Sequence, residues 1–392
     1  MGTFGLYIHI PYCRAKCPYC DFNSYAAQRW PEQAYVAALC DELSHYAALA
    51  KWRGGRVSTV FFGGGTPSLF SARSIRRILT RVSELWELSP LAETTLEANP
   101  GTVSLGKLSA LRAAGVNRVS FGIQSFTPRH LRTLGRIHSG EDAVAAVQLA
   151  RAAGFADVSI DLIFALPQQT LAEWEGDLRQ GCALRPDHIS AYNLTYEPGT
   201  PFHTLRARGA LRELPEEIEV AMFLRTRALL AAAGYQQYEI SNYARPGFAC
   251  RHNLNYWRSG DYLGVGAGAH SYTAAPCGRR IGHSEAVWGW RWSNERLPDR
   301  YLRAVRENGQ GRSTEETLDE RQARGEFVFL GLRCREGFAA TEFRQRFGAA
   351  FPAAFPHVYD LCAQGLLRDA DERWRLTTRG FLVADSVFAT FL

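Results

Sequence analysis

The first half of the chain switches repeatedly between short β-rich apolar runs and longer helical patterns, and few folds accept that rhythm. The apolar runs fall at residues 5–10, 58–62, 94–98, 118–123, 158–164 and 188–194, with helical spacing between them at 32–50, 71–85, 104–114, 140–153 and 171–184. A local echo marks the boundaries. Ala113-Ala114-Gly115, Ala152-Ala153-Gly154 and Ala232-Ala233-Gly234 each close an alanine-rich helix with a glycine ahead of a strand-like run. Glycine tolerates the left-handed conformation that ends a helix. Strands alternating with helices imply an α/β fold with a parallel sheet. About six such units make a partial (β/α)6 TIM-like barrel, short of the usual eight. Residues 1–234 are expected to form it.

After Gly234 the rhythm breaks. Residues 235–312 read as a connecting region rich in glycine and aromatics, among them Tyr256, Trp257, Trp288, Trp290 and Trp292. From residue 313 a new pattern begins, with helical segments at 318–332, 340–347 and 356–365, a β-like run at 374–377 and a last helix from Arg379. That order predicts a smaller helical, winged-helix-like C-terminal domain over 313–392. Winged helices often bind DNA. Here 45 basic and 39 acidic residues leave a diffuse net charge of +6 with no basic stripe, so no nucleic-acid partner is expected.

Composition excludes other classes. A chain that is 46% hydrophobic without low-complexity tracts is not disordered. No apolar run reaches the roughly 18–20 residues of a bilayer span, and the N-terminus lacks the charged and apolar regions of a signal peptide. Nine cysteines, an odd number at irregular spacing, argue against a disulfide scaffold and for a reduced compartment. A cytoplasmic protein is expected; a charge of +6 could help peripheral contact with anionic lipid but is too weak to decide it.

Cys13, Cys17 and Cys20 stand apart as C-x-x-x-C-x-x-C directly after the first predicted strand. Three thiolates on one short loop can converge on a metal centre. Zinc normally takes four closed ligands, yet no fourth cysteine or histidine is near and position 22 is Phe22. An iron–sulfur cluster with three cysteines keeps one iron open for another ligand. Zinc with a distant fourth ligand, or three unrelated thiols, are the alternatives. Further along, Gly63-Gly64-Gly65-Thr66-Pro67 follows the second strand. Such glycines let backbone amides approach a small anionic ligand, or simply make a tight strand-to-helix turn; the lysine of a nucleotide P-loop is missing. Glu97, Gln124 and Asp161 lie at or near the ends of the third, fourth and fifth strands, and Arg136 follows in a loop. Polar groups there face the shared mouth where barrel active sites sit. Each alone could be an ordinary satisfied polar residue.

The cysteine motif resembles the signature of radical S-adenosylmethionine (SAM) proteins. The resemblance implies a 4Fe–4S cluster on Cys13, Cys17 and Cys20, SAM chelated at the open iron, and a glycine run including Gly64 and Gly65 that holds the SAM amino group. Tyr7-Ile8-His9-Ile10-Pro11, the glycine run, and residues 120–126 and 161–167 narrow it to the oxygen-independent coproporphyrinogen III oxidase group, over most of the chain. By that resemblance Tyr7, Tyr19, Gly64, Thr66 and Glu97 contact the cluster-bound SAM, and Gln124, Arg136 and Asp161 contact a second SAM.

Two departures point away from the oxidase itself. Its motif continues to a fourth cysteine where this chain has Phe22, and its long N-terminal extension has no counterpart in the six residues ahead of Tyr7. Both are typical of the sister family of haem chaperones. His252-Asn253-Leu254-Asn255-Tyr256-Trp257 also matches that family's H-N-x-x-Y-W motif. Imidazole is a normal haem ligand and aromatic rings suit the macrocycle, so His252 is either a haem contact or a packing residue beside Tyr256 and Trp257. Cys250 and His270 are weaker candidates, more in keeping with structural roles. Cys40, Cys182, Cys277, Cys334 and Cys362 read as ordinary thiols. The resemblance implies a haem chaperone that carries a cluster and SAM and delivers haem to haem-requiring proteins such as respiratory membrane enzymes. The alternatives are coproporphyrinogen III oxidation or a related tetrapyrrole-modifying radical SAM reaction. Whether SAM is cleaved stays open.

Overall fold

Residues 2–279 and 286–392 are described by the computed structural model, without the side chains of 276–279, so Cys277 lies outside the described residues. Six of the apolar runs become strands that pair in chain order, all parallel: β1 (Thr3–Ile10), β2 (Arg56–Gly64), β3 (Glu87–Ala98), β4 (Arg118–Gln124), β5 (Asp157–Phe164) and β6 (His188–Asn193). The register sets Tyr7 opposite Phe61 and Phe61 opposite Thr95; further round, Glu97 lies opposite Ser120 and Ser120 opposite Ser159. Helices α1 (Glu32–Ala48), α2 (Ala72–Leu85), α3 (Leu105–Ala113), α4 (Gly140–Ala152) and α5 (Leu171–Ala183) connect them.

The helix ends follow from the sequence. Ser71, Ser104, Ser139 and Thr170 each accept a first-turn backbone N–H, and Ser139 with Asp142 and Thr170 with Glu173 complete capping boxes. At the other ends Gly115 and Gly154 take φ of +112° and +87°, a region that resists a Cβ. The barrel's interior-to-helix layer is filled by fully buried apolar side chains such as Val60, Phe62, Leu96, Phe121, Ile160 and Trp174.

The aromatic stretch after Gly234 contributes more sheet than its composition suggests. β7 (Tyr262–Val265) adds parallel to β1, with Gly5 opposite Tyr262, and β8 (His270–Arg279), β9 (Val287–Asn294) and β10 (Arg312–Leu318) continue antiparallel. Towards the far edge, Asn242–Ala244 pairs antiparallel with β6, and Gln236–Gln237 lies outermost. Among the described residues β6 does not meet β1, so the arc stays open. A buried carboxylate ties the extension to the barrel. Glu42 of α1 accepts from the Gly266 and Gly311 amides, Asn294 Nδ2 and Tyr301 Oη at 2.8–2.9 Å.

The C-terminal part has its own core, built on Phe327, Phe338, Phe343, Phe351, Trp374 and Phe391. Its helices pack on a three-stranded antiparallel sheet of Phe338–Ala339, Arg373–Leu376 and Leu367–Ala370, the helix-plus-wing arrangement anticipated from the sequence.

Candidate functional site

The carboxyl ends of the six parallel strands open into a cavity of about 840 Å³. The loop after β1 brings Cys13, Cys17 and Cys20 to its wall, all three half-buried and free. Thr66 Oγ1 donates to Cys13 Sγ at 3.4 Å, Arg136 Nη1 donates to Cys17 Sγ at 3.5 Å, and Ser24 Oγ lies 3.9 Å from Cys20 Sγ. Burial pushes the Cys13 and Cys20 thiols above their ordinary range. Among the described residues no three His, Cys, Asp or Glu groups gather closely enough to hold a single metal ion. Three free thiols on one cavity wall are the donor set of a cluster in which each sulfur takes its own iron and one iron stays open.

Tyr19, Gly64, Gly65, Thr66, Glu97, Gln124, Arg136 and Asp161 line the same cavity. Tyr7 does not. It faces a neighbouring cavity, with its hydroxyl 3.0 Å from His9 Nδ1, and the two spaces adjoin at Asp21, Phe22, Gly64 and Glu97. Glu97 Oε2 accepts from the Gly64 amide at 3.2 Å. Burial, reinforced by the Asp161 charge, raises its carboxyl to about 8. Asp161, also raised by burial, accepts from Ser120 Oγ at 3.3 Å.

Gln124 ends β4 at φ +70°, a strained conformation for a residue with a Cβ. Its Oε1 and Arg136 Nε are buried without a hydrogen-bond partner among the described residues. Buried polar atoms are normally paired, so two orphans on a cavity wall fit a polar ligand such as the SAM carboxylate or ribose.

The glycine run works differently from the amide cradle its sequence suggested. Its amides are already taken, Gly64 N by Glu97, Gly65 N by Ile10 O and Thr66 N by Tyr12 O. The glycines are needed because the loop presses on the first strand and its exit. A Cβ on Gly63 would meet the Tyr7 ring at 2.9 Å, one on Gly64 the His9 ring at 2.5 Å, and one on Gly65 Tyr12 O at 2.6 Å. With these amides occupied, the run does not offer the N–H cradle an anion would need.

His252 lies in neither cavity. The ring is 1% exposed, with Nδ1 2.8 Å from Thr59 Oγ1 and Nε2 2.8 Å from Tyr256 Oη, and burial lowers its pKa to about 3. Both nitrogens are engaged, while Tyr256 and Trp257 of the same motif face the second cavity. Cys250 is buried and points its thiol at Glu93, 3.5 Å away.

Sequence reasoning passed over two parts of the wall. Tyr192 and Asn193 end β6, and their place at a strand's carboxyl end was the available signal. Residues 381–386 come from the C-terminal part and close one side of the cavity, which no local pattern indicates.

Six parallel strands with a three-cysteine loop after the first define a radical SAM protein, and residues 7–180 match the radical SAM superfamily. Residues 318–383 match the HemN C-terminal domain. The chain is 40% identical to the heme chaperone HemW of Escherichia coli, covering 100% of this chain and 99% of the relative, and 37% identical to HemW of Bacillus subtilis over 98% of each. It is 36% identical to the bovine mitochondrial radical S-adenosyl methionine domain-containing protein 1, over 99% of this chain and 87% of that one. Coproporphyrinogen III oxidase (HemN) from E. coli superposes with a TM-score of 0.81 at 26% identity, covering 100% of this chain and 90% of that one. The chain therefore belongs to the HemW family of heme chaperones, on a radical SAM scaffold.

Proposed function

We propose that the protein binds haem and passes it to haem-requiring proteins, respiratory membrane enzymes among them, from a scaffold that also holds a 4Fe–4S cluster and SAM. The observation that carries this reading is a second cavity of about 880 Å³ beside the cysteine-lined one, walled by aromatic side chains and within the usual size for a large cofactor, about 300–1,000 Å³. Among the described residues no helix is long and apolar enough to cross a membrane.

Cys13, Cys17 and Cys20 would hold the cluster, with Tyr19, Gly64, Gly65, Thr66 and Glu97 around the cluster-bound SAM, Tyr7 supporting that group from the adjoining side, and Gln124, Arg136 and Asp161 taking a second SAM. The chemistry these groups would supply when bound is one-electron reductive cleavage of the SAM sulfonium. The chain's part is positional: Thr66 and Arg136 each donate to a cysteine sulfur, and residues 381–386 wall one side of the cavity.

Glu97 makes SAM binding pH-dependent in a definite direction. In the empty site its carboxyl is protonated below about 8. An amino group that donates to it favours the ionised form, so binding releases a proton and strengthens as pH rises. SAM affinity of the cluster-loaded protein should rise about tenfold between pH 6.5 and 8.5, then level off. Glu97→Gln should flatten that rise. The ligand's own titration is common to both proteins, so calorimetry on the pair isolates Glu97.

The reading itself is tested on anaerobically reconstituted protein by titrating haem and assaying coproporphyrinogen III with SAM and a reductant. Stable haem binding without protoporphyrinogen formation is expected. Turnover at ordinary enzymatic rates would replace the chaperone reading with the oxidase one.

A further inference from the structure

We infer that the second cavity is the haem site, with His270 as the axial ligand of the iron and Arg296 facing a propionate. This rests on the haem-binding reading above and assigns it a place. Tyr256, Trp257 and Tyr262 form one side of the cavity, and Phe329 and Leu330 come from the C-terminal part. Flat aromatic and aliphatic walls suit a macrocycle that is apolar on both faces.

Two histidines line this cavity. His9 has both nitrogens engaged, Nδ1 with Tyr7 Oη at 3.0 Å and Nε2 with Asn23 O at 2.8 Å. His270, at the start of β8, is exposed to the cavity and its ring makes no hydrogen bond among the described residues. Iron needs a neutral imidazole with a free lone pair. Burial and the nearby Arg291 and Arg296 charges lower the His270 pKa.

The polar end of haem needs cations. Arg291 is committed, pairing with Glu316 at 2.8 Å and Glu326 at 2.5 Å. Arg296 is exposed and forms no ion pair among the described residues. Its carbonyl accepts from Asn23 Nδ2 at 2.9 Å and from Tyr25 Oη at 3.2 Å, which fixes the backbone and leaves the guanidinium on a held stem. A guanidinium so placed is the natural partner of a carboxylate.

The arrangement also gives the H-N-x-x-Y-W motif a division of labour. Tyr256 and Trp257 face the cavity, while His252 stands behind them as a positioning residue, its Nε2 holding the Tyr256 hydroxyl.

The test is haem titration of the full-length, cluster-loaded protein, read by Soret absorbance and electron paramagnetic resonance. His270→Ala should weaken haem binding at least about tenfold and abolish the imidazole-ligated spectrum, and added imidazole should restore it. His270→Met should bind haem with a shifted spectrum, so a misfolded alanine variant cannot decide the matter alone. Arg296→Ala should weaken haem several-fold but leave haem dimethyl ester, which lacks free carboxylates, unaffected. Unchanged affinity and spectrum in both His270 variants would overturn the assignment while the haem-binding reading stood. A wild-type protein that takes up no haem would overturn both.

Discussion

Changing any one of Cys13, Cys17 or Cys20 to serine should leave a folded chain that loses at least about tenfold in iron and sulfide retained after anaerobic reconstitution. The three thiols sit on a half-buried loop outside the hydrophobic core, so their loss removes no packing that holds the barrel. What they lose is ligation. The nearest polar groups, Thr66, Arg136 and Ser24, carry a hydroxyl, a guanidinium and a hydroxyl, none of which replaces a thiolate on iron. Thr66→Ala tests the surroundings instead of the ligand. It removes the hydrogen bond to Cys13 Sγ and should reduce cluster retention measurably while leaving assembly possible. Iron and sulfide analysis, with thermal unfolding as the fold control, separates the two kinds of loss. Full retention in Cys20→Ser would mean that a ligand outside the three-cysteine loop completes the site.

The arc of parallel strands was legible in the sequence because each unit repeats the same physical signals, an apolar run, a serine or threonine cap and a closing glycine. The polar residues at its mouth were legible for a related reason. Once β3, β4 and β5 are located, Glu97, Gln124 and Asp161 have to approach the carboxyl ends of neighbouring parallel strands. Other features depended on partners distant in sequence. β7 finds an edge at β1 and β8 to β10 add to it in turn, pairings that the glycine- and aromatic-rich sequence of this stretch does not announce. The glycine run looked like an amide cradle until its amides were traced to Glu97, Ile10 and Tyr12. His252 carries a ligand's chemistry, yet Thr59, 193 positions away, and Tyr256 occupy both nitrogens. His270 drew less notice in the sequence, and only the meeting of β8 with the C-terminal part gives its ring an open space to face.

Glu42→Ala should destabilise the protein by about 3–5 kcal/mol, although Glu42 touches neither cavity. The carboxylate is fully buried and collects four donors from four places: the β7–β8 turn at Gly266, the end of β9 at Asn294, Tyr301 on the following helix and the approach to β10 at Gly311. Alanine leaves these donors unpaired in a site water does not reach. Glutamine should do less harm, about 1–2 kcal/mol, because its oxygen can keep the Asn294 and Gly311 bonds while its amide opposes the Gly266 N–H. The pH dependence has a fixed sign. Burial raises Glu42 from the ordinary 4.5 to about 7 despite its hydrogen bonds. Between those values the folded state binds the extra proton, so this residue's contribution to stability falls as pH rises from 4.5 to 7 and is constant above. Glu42→Gln should remove that slope, which urea unfolding at pH 5 and pH 8 would reveal. If Glu42→Ala instead costs less than about 1 kcal/mol, the antiparallel extension is held to the barrel by β1–β7 pairing and aromatic packing alone. If the full loss is seen, one buried carboxylate on α1 fixes the strands that carry His270 and Arg291, and haem binding should weaken together with stability.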